Sequence, residues 1–214
     1  MESIEKYALA MSEAEDELLR ELDRETHLRA MHPRMLSGHM QGMLLKMLTQ
    51  MLRPRRALEI GTFTGYATLC IAAGLGDGAT IDTIEVDDEL ESLAASFFTR
   101  SPHRDKIRPH IGSALDIVPA LLAPGEAFDL IFIDGDKREY PDYYRMAMDV
   151  GLVRQGSIIL ADNTLWSGKV VQPVAHGDIH TQKILEFNAM VRADDRVESL
   201  LLPMRDGLSV IRVK

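Results

Sequence analysis

Two motifs in the second half of the chain carry side-chain oxygens that could hold a metal ion. The first is DGDK at residues 134–137, and the second is the pair Asp162 and Asn163. Asp134, Asp162 and Asn163 supply the oxygen ligands that Mg²⁺ and Ca²⁺ prefer, and neither motif holds the His or Cys of a zinc site. The alternative is that they only cap turns after strands. Because the strands before them are predicted neighbours, we expect one divalent-cation site, with Mg²⁺ favoured over Ca²⁺ or Mn²⁺.

A lysine lies close to the first of these motifs. Lys137 follows Asp134 by three residues, close enough to face the same pocket. An ordinary lysine has a pKa of about 10.4 and is a poor base at neutral pH, but burial or a nearby cation lowers that pKa. Lys137 could then take a proton from a hydroxyl group. The alternative interpretation is a solvated surface lysine.

A glycine-containing loop at residues 57–66, ALEIGTFTGY, leads from an apolar strand into a helix. Gly61 and Gly65 lack the β-carbons that would keep a ligand from the backbone, and Glu59 places a carboxylate where an amino group could lie. The spacing is not Gly-x-Gly-x-x-Gly, which disfavours a dehydrogenase. Glu85 ends the next predicted strand, where an acidic side chain can accept hydrogen bonds from ribose hydroxyls. Together the loop and Glu85 predict a nucleoside-cofactor site, whereas the loop alone would favour a tight turn.

Short apolar strands and helices alternate through most of the chain, which predicts a parallel sheet covered on both faces. The predicted fold is α/β: a doubly wound, Rossmann-like, mostly parallel seven-stranded sheet with an antiparallel C-terminal hairpin and N-terminal helices. The predicted strands are 57–60, 79–86, 106–111, 128–134, 157–162, 196–202 and 208–213, and the predicted helices between them are 66–75, 88–100, 115–122, 140–152 and 178–192.

Two helices are predicted before the sheet. The first extends from residue 3 to about residue 30, and Pro33 separates it from a methionine-rich helix over residues 38–52. We therefore expect a single domain composed of an N-terminal helical arm, residues 1–34, and a cofactor- and metal-binding core, residues 35–214.

Composition limits the functional classes. The chain has 214 residues, of which 46% are hydrophobic, so it can bury a sizeable core. A net charge of -9 argues against a surface built to neutralise phosphates. One cysteine, Cys70, excludes an intrachain disulfide. No apolar run approaches the roughly 20 residues that span a bilayer. We expect a cytoplasmic protein with no membrane partner.

The motifs and their order resemble those of the cation-dependent class I O-methyltransferases, the family of caffeoyl-coenzyme A O-methyltransferase and, more distantly, catechol O-methyltransferase. The resemblance extends from about residue 35 to the C-terminus. Four motifs carry it: LEIGTFTGY at 58–66, FIDGDK at 132–137, ADNTLWSG at 161–168 and LPMRDGL at 202–208.

The resemblance implies S-adenosyl-L-methionine (SAM) as the cofactor, Asp134, Asp162 and Asn163 as metal ligands, and Lys137 as the general base. It also implies that Met35 and Ser37 cover the methionine end, that Glu85 binds the ribose and that Ala114 lies near the adenine. The implied cofactor contacts are Met35, Ser37, Glu59, Gly61, Thr62, Gly65, Ala67, Glu85, Ala114 and Asp134, with Gly61 and Thr62 contributing their backbone.

The sequence departs from the family at Ala67, where family members usually carry serine. One hydroxyl contact to the cofactor carboxylate is therefore missing. Thr68 is a poor substitute, because a shift of one residue on a helix turns the side chain by about 100°.

The resemblance leaves the methyl acceptor open. His39, Lys137 and Trp166 are implied to contact it, although Trp166 could equally be a core residue, and segment 31–39 differs from the plant enzymes. We predict a small hydroxylated aromatic with vicinal oxygens, and a homodimer. Basic clusters at residues 53–56 and 100–108 leave tRNA 5-hydroxyuridine as an alternative acceptor. A non-catalytic SAM-binding protein is the third hypothesis.

Overall fold

The computed structural model describes residues 3–214, which contain a single seven-stranded sheet. The strand order is β3-β2-β1-β4-β5-β7-β6; β1 to β5 are parallel, and β7 is antiparallel to both β5 and β6. This confirms the predicted fold class. The strands are β1 (Arg56–Ile60), β2 (Thr80–Glu85), β3 (Ile107–Ile111), β4 (Phe128–Ile133), β5 (Val153–Ala161), β6 (Val197–Leu202) and β7 (Leu208–Val213).

The central strand β4 shows why the sheet is covered on both faces. Successive side chains of a strand point to opposite faces, so Leu130 and Phe132 enter one buried cluster while Ile131 and Ile133 enter the other. Helices α2 to α5 cover the first face and α6 to α8 the second. The helices are α1 (Ser3–Ala10), α2 (Glu17–Arg29), α3 (Gly38–Leu52), α4 (Tyr66–Gly74), α5 (Glu91–Arg100), α6 (Ala114–Ile117), α7 (Tyr140–Asp149) and α8 (Ile179–Ala193).

The chain order reverses at β1. From β1 the chain continues outward to β2 and β3 and then returns to β4 on the other side. Such a switch point opens a crevice at the carboxyl ends of the strands, where ligands bind in doubly wound sheets. The loops after β1, β2, β4 and β5 therefore meet at one edge.

The single helix predicted for the arm is wrong, because α1 and α2 are separate helices. The hydroxyl of Ser12 donates to the carbonyl of Ala8 at 2.7 Å, just after α1 ends. The carboxylate of Asp16 accepts from the N–H of Leu18 at 2.9 Å and caps α2. Residues 1 and 2 of the predicted arm lie outside the described residues.

Two other helix predictions need correction. The helix predicted over 115–122 ends at Ile117, because Pro119 lacks the N–H that would continue it and a 3-10 turn follows. The helix predicted from residue 88 begins at Glu91, after a 3-10 turn capped by Asp87. None of the helices between residues 3 and 214 combines the length and apolar character needed to cross a membrane.

Candidate active site

A cavity of about 1050 Å³ opens at the carboxyl edge of the sheet. Its wall includes residues that follow or end four strands: Gly61 after β1, Glu85 of β2, Asp134 after β4 and Asp162 after β5. The volume lies at the upper end of the range for small-molecule and cofactor sites. The fold thus brings the two predicted sites, cofactor and metal, into one cleft.

The glycines of the loop after β1 are required by protein packing. Gly61 has φ +100°, and a β-carbon there would overlap the carbonyl of Asp134. Gly65 has φ +93° and precedes α4, where a β-carbon would overlap the ring of Phe98. The N–H groups of Gly61 and Thr62 both donate to the carbonyl of Ile84, at 2.9 and 3.1 Å. These N–H groups therefore have partners within the protein, and only Gly61 also lines the cavity.

Glu59 is completely buried at the end of β1. The hydroxyls of Thr68 and Thr83 both donate to its Oε2, and Oε1 has no partner. Burial raises the pKa of Glu59 to about 8. The unpartnered oxygen fits a cofactor's ammonium group, which would satisfy it and favour the ionised form. Thr68 is thus committed to orienting Glu59 and does not replace the hydroxyl absent at Ala67.

Glu85 closes the cofactor side of the cleft. Its Oε2 accepts from the N–H of Phe63 at 2.6 Å, and its Oε1 accepts from the N–H groups of Val86 and Asp87 at 2.9 and 3.0 Å. These backbone donors fix a carboxylate that still has lone pairs for ribose hydroxyls. Across the cleft, Ala114 begins α6 and also lines the wall.

The predicted cofactor contacts divide into two groups. Met35, Gly61, Glu85, Ala114 and Asp134 line the cavity. The others lie behind its wall: Ser37, Glu59, Thr62, Gly65 and Ala67.

Asp134 and Lys137 form an ion pair in the half of the cleft that contains the predicted metal ligands, here called the metal half, opposite the cofactor half around Glu59 and Glu85. The Lys137 ammonium lies 2.9 Å from Asp134 Oδ1, donates to the carbonyl of Gly135 at 3.1 Å, and is 4.9 Å from the ring centre of Tyr140. Burial raises the pKa of Asp134 to about 6, opposed by Lys137 and reinforced by the charge of Asp162. Such a pair of carboxylates favours a bound cation.

Asp162 is held from both sides. Its Oδ1 accepts from the N–H of Asn163 at 2.7 Å, and its Oδ2 accepts from the side-chain amide of Gln41 at 2.6 Å. Asn163 has φ 58°, a left-handed conformation that asparagine tolerates better than most residues. Both residues line the cavity together with Asp134.

The residues that support this half were missed by sequence reasoning. Gln41 is buried in the methionine-rich helix α3, and its carbonyl accepts from Arg205 at 2.8 Å. The hydroxyl of Tyr140 donates to the carbonyls of Asp162 and Ile133 at 3.0 and 3.2 Å. A polar residue within the apolar stripe of α3 was the one signal that could have identified Gln41.

Only two of the three predicted acceptor contacts line the cavity. Trp166 lines the cavity, its ring is stacked on His180 at 6.1 Å between centroids, and its buried indole N–H has no partner. Lys137 lines the same wall. His39 does not; its Nε2 lies 2.7 Å from the carbonyl of Glu13, which connects α3 to the N-terminal arm.

The donor set is suited to a hard cation. Within residues 3–214, no three His, Cys, Asp or Glu side chains converge on one point. The predicted ligands do not require three such side chains, because they are the carboxylates of Asp134 and Asp162 and the amide oxygen of Asn163. These oxygens suit Mg²⁺ or Ca²⁺, which complete their coordination with water or substrate oxygens.

Comparisons with known proteins give a consistent result. The sequence model of the family described as O-methyltransferase matches residues 9–214. Caffeoyl-CoA O-methyltransferase 1 of Eucalyptus globulus is 34% identical over 179 residues, which cover 80% of this chain and 72% of the relative. Probable caffeoyl-CoA O-methyltransferase 2 of Dictyostelium discoideum is 32% identical over 211 residues, covering 98% and 90%.

Two solved structures have similar folds. The O-methyltransferase TomG from Streptomyces achromogenes, involved in tomaymycin synthesis and in complex with SAM, superposes with a TM-score of 0.91 at 30% identity, covering 99% of this chain and 96% of that one. The O-methyltransferase from Bacillus cereus in complex with SAH superposes with a TM-score of 0.91 at 30% identity, covering 99% and 97%.

Proposed function

This chain belongs to the O-methyltransferase family and is a SAM-dependent O-methyltransferase. We propose that its activity depends on a divalent metal and that it methylates a hydroxyl of a catechol-like small molecule. The observation that carries this proposal is the convergence of Asp134, Lys137, Asp162 and Asn163 in the cleft that also holds Glu85. The names of the caffeoyl-CoA relatives support an aromatic hydroxyl as the acceptor.

Asp134, Asp162 and Asn163 are the residues that would hold the cation, with Mg²⁺ the favoured ion. When bound, the cation lowers the pKa of an acceptor hydroxyl and orients the vicinal oxygens. Backbone and side-chain contacts on Asp162 and the ion pair on Asp134 keep both carboxylates in place before an acceptor arrives.

Lys137 is the proposed general base. The contacts with Asp134 and Gly135 hold its nitrogen in the cleft. A cation bound at Asp134 would favour the neutral amine, which could then receive the proton of the hydroxyl that is methylated. A lone pair of the deprotonated acceptor oxygen forms a bond to the methyl carbon of SAM. The carbon–sulfur bond breaks, and S-adenosylhomocysteine leaves. Most of the acceleration comes from holding oxygen, carbon and sulfur in line.

The aromatic acceptor is proposed to lie beside Trp166. The ring of Trp166, stacked on His180, gives a flat apolar wall to the cavity that Lys137 also lines. Its unpartnered indole N–H could donate to an acceptor oxygen.

Some of the basic residues that suggested tRNA are engaged in ion pairs. Arg56 pairs with Asp82 and Glu126, and Arg100 pairs with Glu21. They are therefore less available to phosphates, which favours the small acceptor over hydroxylated tRNA. Homodimerisation and a cytoplasmic location stay predictions; light scattering on the purified protein tests the first.

Transfer of labelled methyl from SAM to caffeic acid, with Mg²⁺ and again with excess EDTA, tests the proposal. We expect transfer that EDTA abolishes and that added Mg²⁺ restores. Transfer unaffected by EDTA would contradict metal dependence. Tight cofactor binding without transfer to caffeic acid or other catechols would contradict the acceptor class, and hydroxylated tRNA would then be tested.

A further inference from the structure

We propose that Arg205 and Gln41 are positioning residues that hold Asp162 in the orientation in which it binds the divalent cation. The inference deepens the proposed function and rests on its metal dependence. Neither residue is among the predicted ligands or cofactor contacts.

Arg205, Gln41 and Asp162 form a continuous chain of hydrogen bonds. The Arg205 guanidinium donates to Gln41 Oε1 at 2.8 Å and to the carbonyl of Leu36 at 3.1 Å. Gln41 Nε2 then donates to Asp162 Oδ2 at 2.6 Å. The middle member is buried, with 1% of its surface exposed, and Asp162 is 4% exposed. A buried network of this kind fixes geometry when its members are satisfied.

The direction of these bonds follows from the chemistry of arginine. A guanidinium can only donate, so Gln41 must present its carbonyl oxygen to Arg205 and its NH₂ group to Asp162. The ionised carboxylate of Asp162 can only accept, so it requires the same orientation of the amide. Arg205 thus anchors the Gln41 amide in position, and Gln41 determines where Asp162 Oδ2 lies.

The turn that carries Arg205 is fixed against the loop that follows Asp162. The N–H of Leu165 donates to the carbonyl of Asp206 at 2.9 Å, and the N–H of Thr164 donates to the carbonyl of Gly207 at 3.1 Å. Gly207 packs so closely on Leu165 that a β-carbon would overlap it. The donor at Arg205 is therefore anchored relative to the residues it positions.

The backbone of Arg205 is unfavourable for arginine. Its φ of 50° lies in the left-handed region, which favours glycine. Strained residues of this kind cluster at functional sites. Arg205→Gly should therefore relieve backbone strain while removing the guanidinium, which separates a positioning role from a role in folding.

Simple electrostatics and the positioning role predict opposite effects of removing Arg205 on the affinity for a divalent cation. The positive charge of Arg205 lies in the wall of the cavity that Asp134 and Asp162 also line. If charge alone mattered, removing the positive charge of Arg205 should tighten the binding of a divalent cation nearby. If Arg205 acts through Gln41, removing it should weaken binding.

The test measures Mn²⁺ affinity by electron paramagnetic resonance of free Mn²⁺. The variants are Arg205→Gly, Arg205→Lys, Gln41→Leu and the double variant Arg205→Gly/Gln41→Leu. Residues that orient metal ligands typically change affinity by about 10- to 100-fold. We expect about tenfold or greater weakening for Gln41→Leu, a smaller weakening for Arg205→Gly, and partial recovery with Arg205→Lys. The double variant should be no weaker than Gln41→Leu, because Arg205 acts through Gln41.

Arg34→Ala is the matched control, since it removes another arginine of the same cavity wall that donates no hydrogen bond to Gln41 or Asp162. We expect its Mn²⁺ affinity to be unchanged or tighter, and we expect Arg205→Gly to be folded at the assay temperature, which its Tm checks. Unchanged or tighter Mn²⁺ binding by Arg205→Gly would overturn the inference, as would a double variant weakened by the product of the single effects. If the wild type binds no Mn²⁺, the proposed metal dependence fails and the inference fails with it.

Discussion

The two halves of the cleft hold their carboxylates in different ways. In the cofactor half, Glu85 accepts from three backbone N–H groups, and Glu59 accepts from two threonine hydroxyls. In the metal half, Asp134 and Asp162 are held by the side chains of Lys137 and Gln41. The backbone donors on Glu85 cannot be mutated away, whereas Glu59, Asp134 and Asp162 each depend on at least one individual side chain.

Asp134→Asn should show the largest difference between the two halves, because it should reduce turnover far more than cofactor binding. Loss of a charged metal ligand should reduce kcat on the order of 10³-fold, as removal of one electrostatic group does in other enzymes. Binding of S-adenosylhomocysteine, measured by calorimetry, should change far less. Asp142→Asn, an exposed carboxylate on α7 that pairs with Arg145, is the control and should retain activity. An equal loss of cofactor binding and turnover would contradict the assignment of Asp134 to the metal half.

Lys137→Met should reduce kcat by about 10²-fold or more, the usual contribution of a general base. The rate of the variant should recover as pH rises, because hydroxide or an ionised acceptor then replaces the base. Lys169→Met removes an exposed lysine paired with Asp178 and serves as the control. A parallel pH profile for Lys137→Met and the wild type would show that Lys137 is not the base.

Glu59→Gln tests the cofactor half. An ionised carboxylate that pairs with the cofactor's ammonium is worth roughly 1.5–3 kcal/mol, so the variant should bind S-adenosylhomocysteine about 10- to 150-fold more weakly. Methyl transfer at saturating SAM should be less affected. Unchanged affinity would mean that Glu59 supports only the loop.

The pH dependence of stability gives a second test of Glu59. Its pKa is raised from 4.5 to about 8, so between these values the folded protein holds a proton that the unfolded chain has lost. The contribution of Glu59 to stability is therefore full below pH 4.5 and declines as pH rises to about 8. We expect the Tm of the wild type to fall more steeply over this range than that of Glu59→Gln. Parallel curves would mean that Glu59 is already ionised when folded.

Ala67→Ser should have the smallest effect. Ala67 is buried and does not line the cavity, and one added neutral hydroxyl contributes less than the Glu59 carboxylate. We expect less than a twofold change in affinity for S-adenosylhomocysteine. A large gain would show that the departure at this position weakens the natural protein.

Sequence reasoning succeeded where the determinants are local. The strand-to-helix loop at 57–66 and the acidic ends of β2, β4 and β5 follow from patterns within a few residues. The residues that were missed act over long separations: Gln41 contacts Asp162 across 121 positions, and Arg205 contacts Gln41 across 164. Their partners depend on how α3 and the β6–β7 turn dock against β5, which no local pattern encodes.

The N-terminal arm shows the same limit. The break between α1 and α2 depends partly on Asp16, a local cap, but Glu13 and Glu15 in the break contact His39 and Tyr66 from other elements. The resemblance implies that His39 contacts the acceptor, and that role stays a prediction. The ring of His39 connects the arm to α3 and does not line the cavity, so neighbours along the chain do not always share a cavity.

The most direct test of the account is the anomalous scattering of Mn²⁺ in crystals of the protein grown with S-adenosylhomocysteine. We predict one strong peak in the cleft, with oxygens of Asp134, Asp162 and Asn163 at about 2.0–2.6 Å, the range for hard divalent cations. A cleft that contains S-adenosylhomocysteine but shows no peak at these three residues would contradict the central claim that this methyltransferase uses a metal.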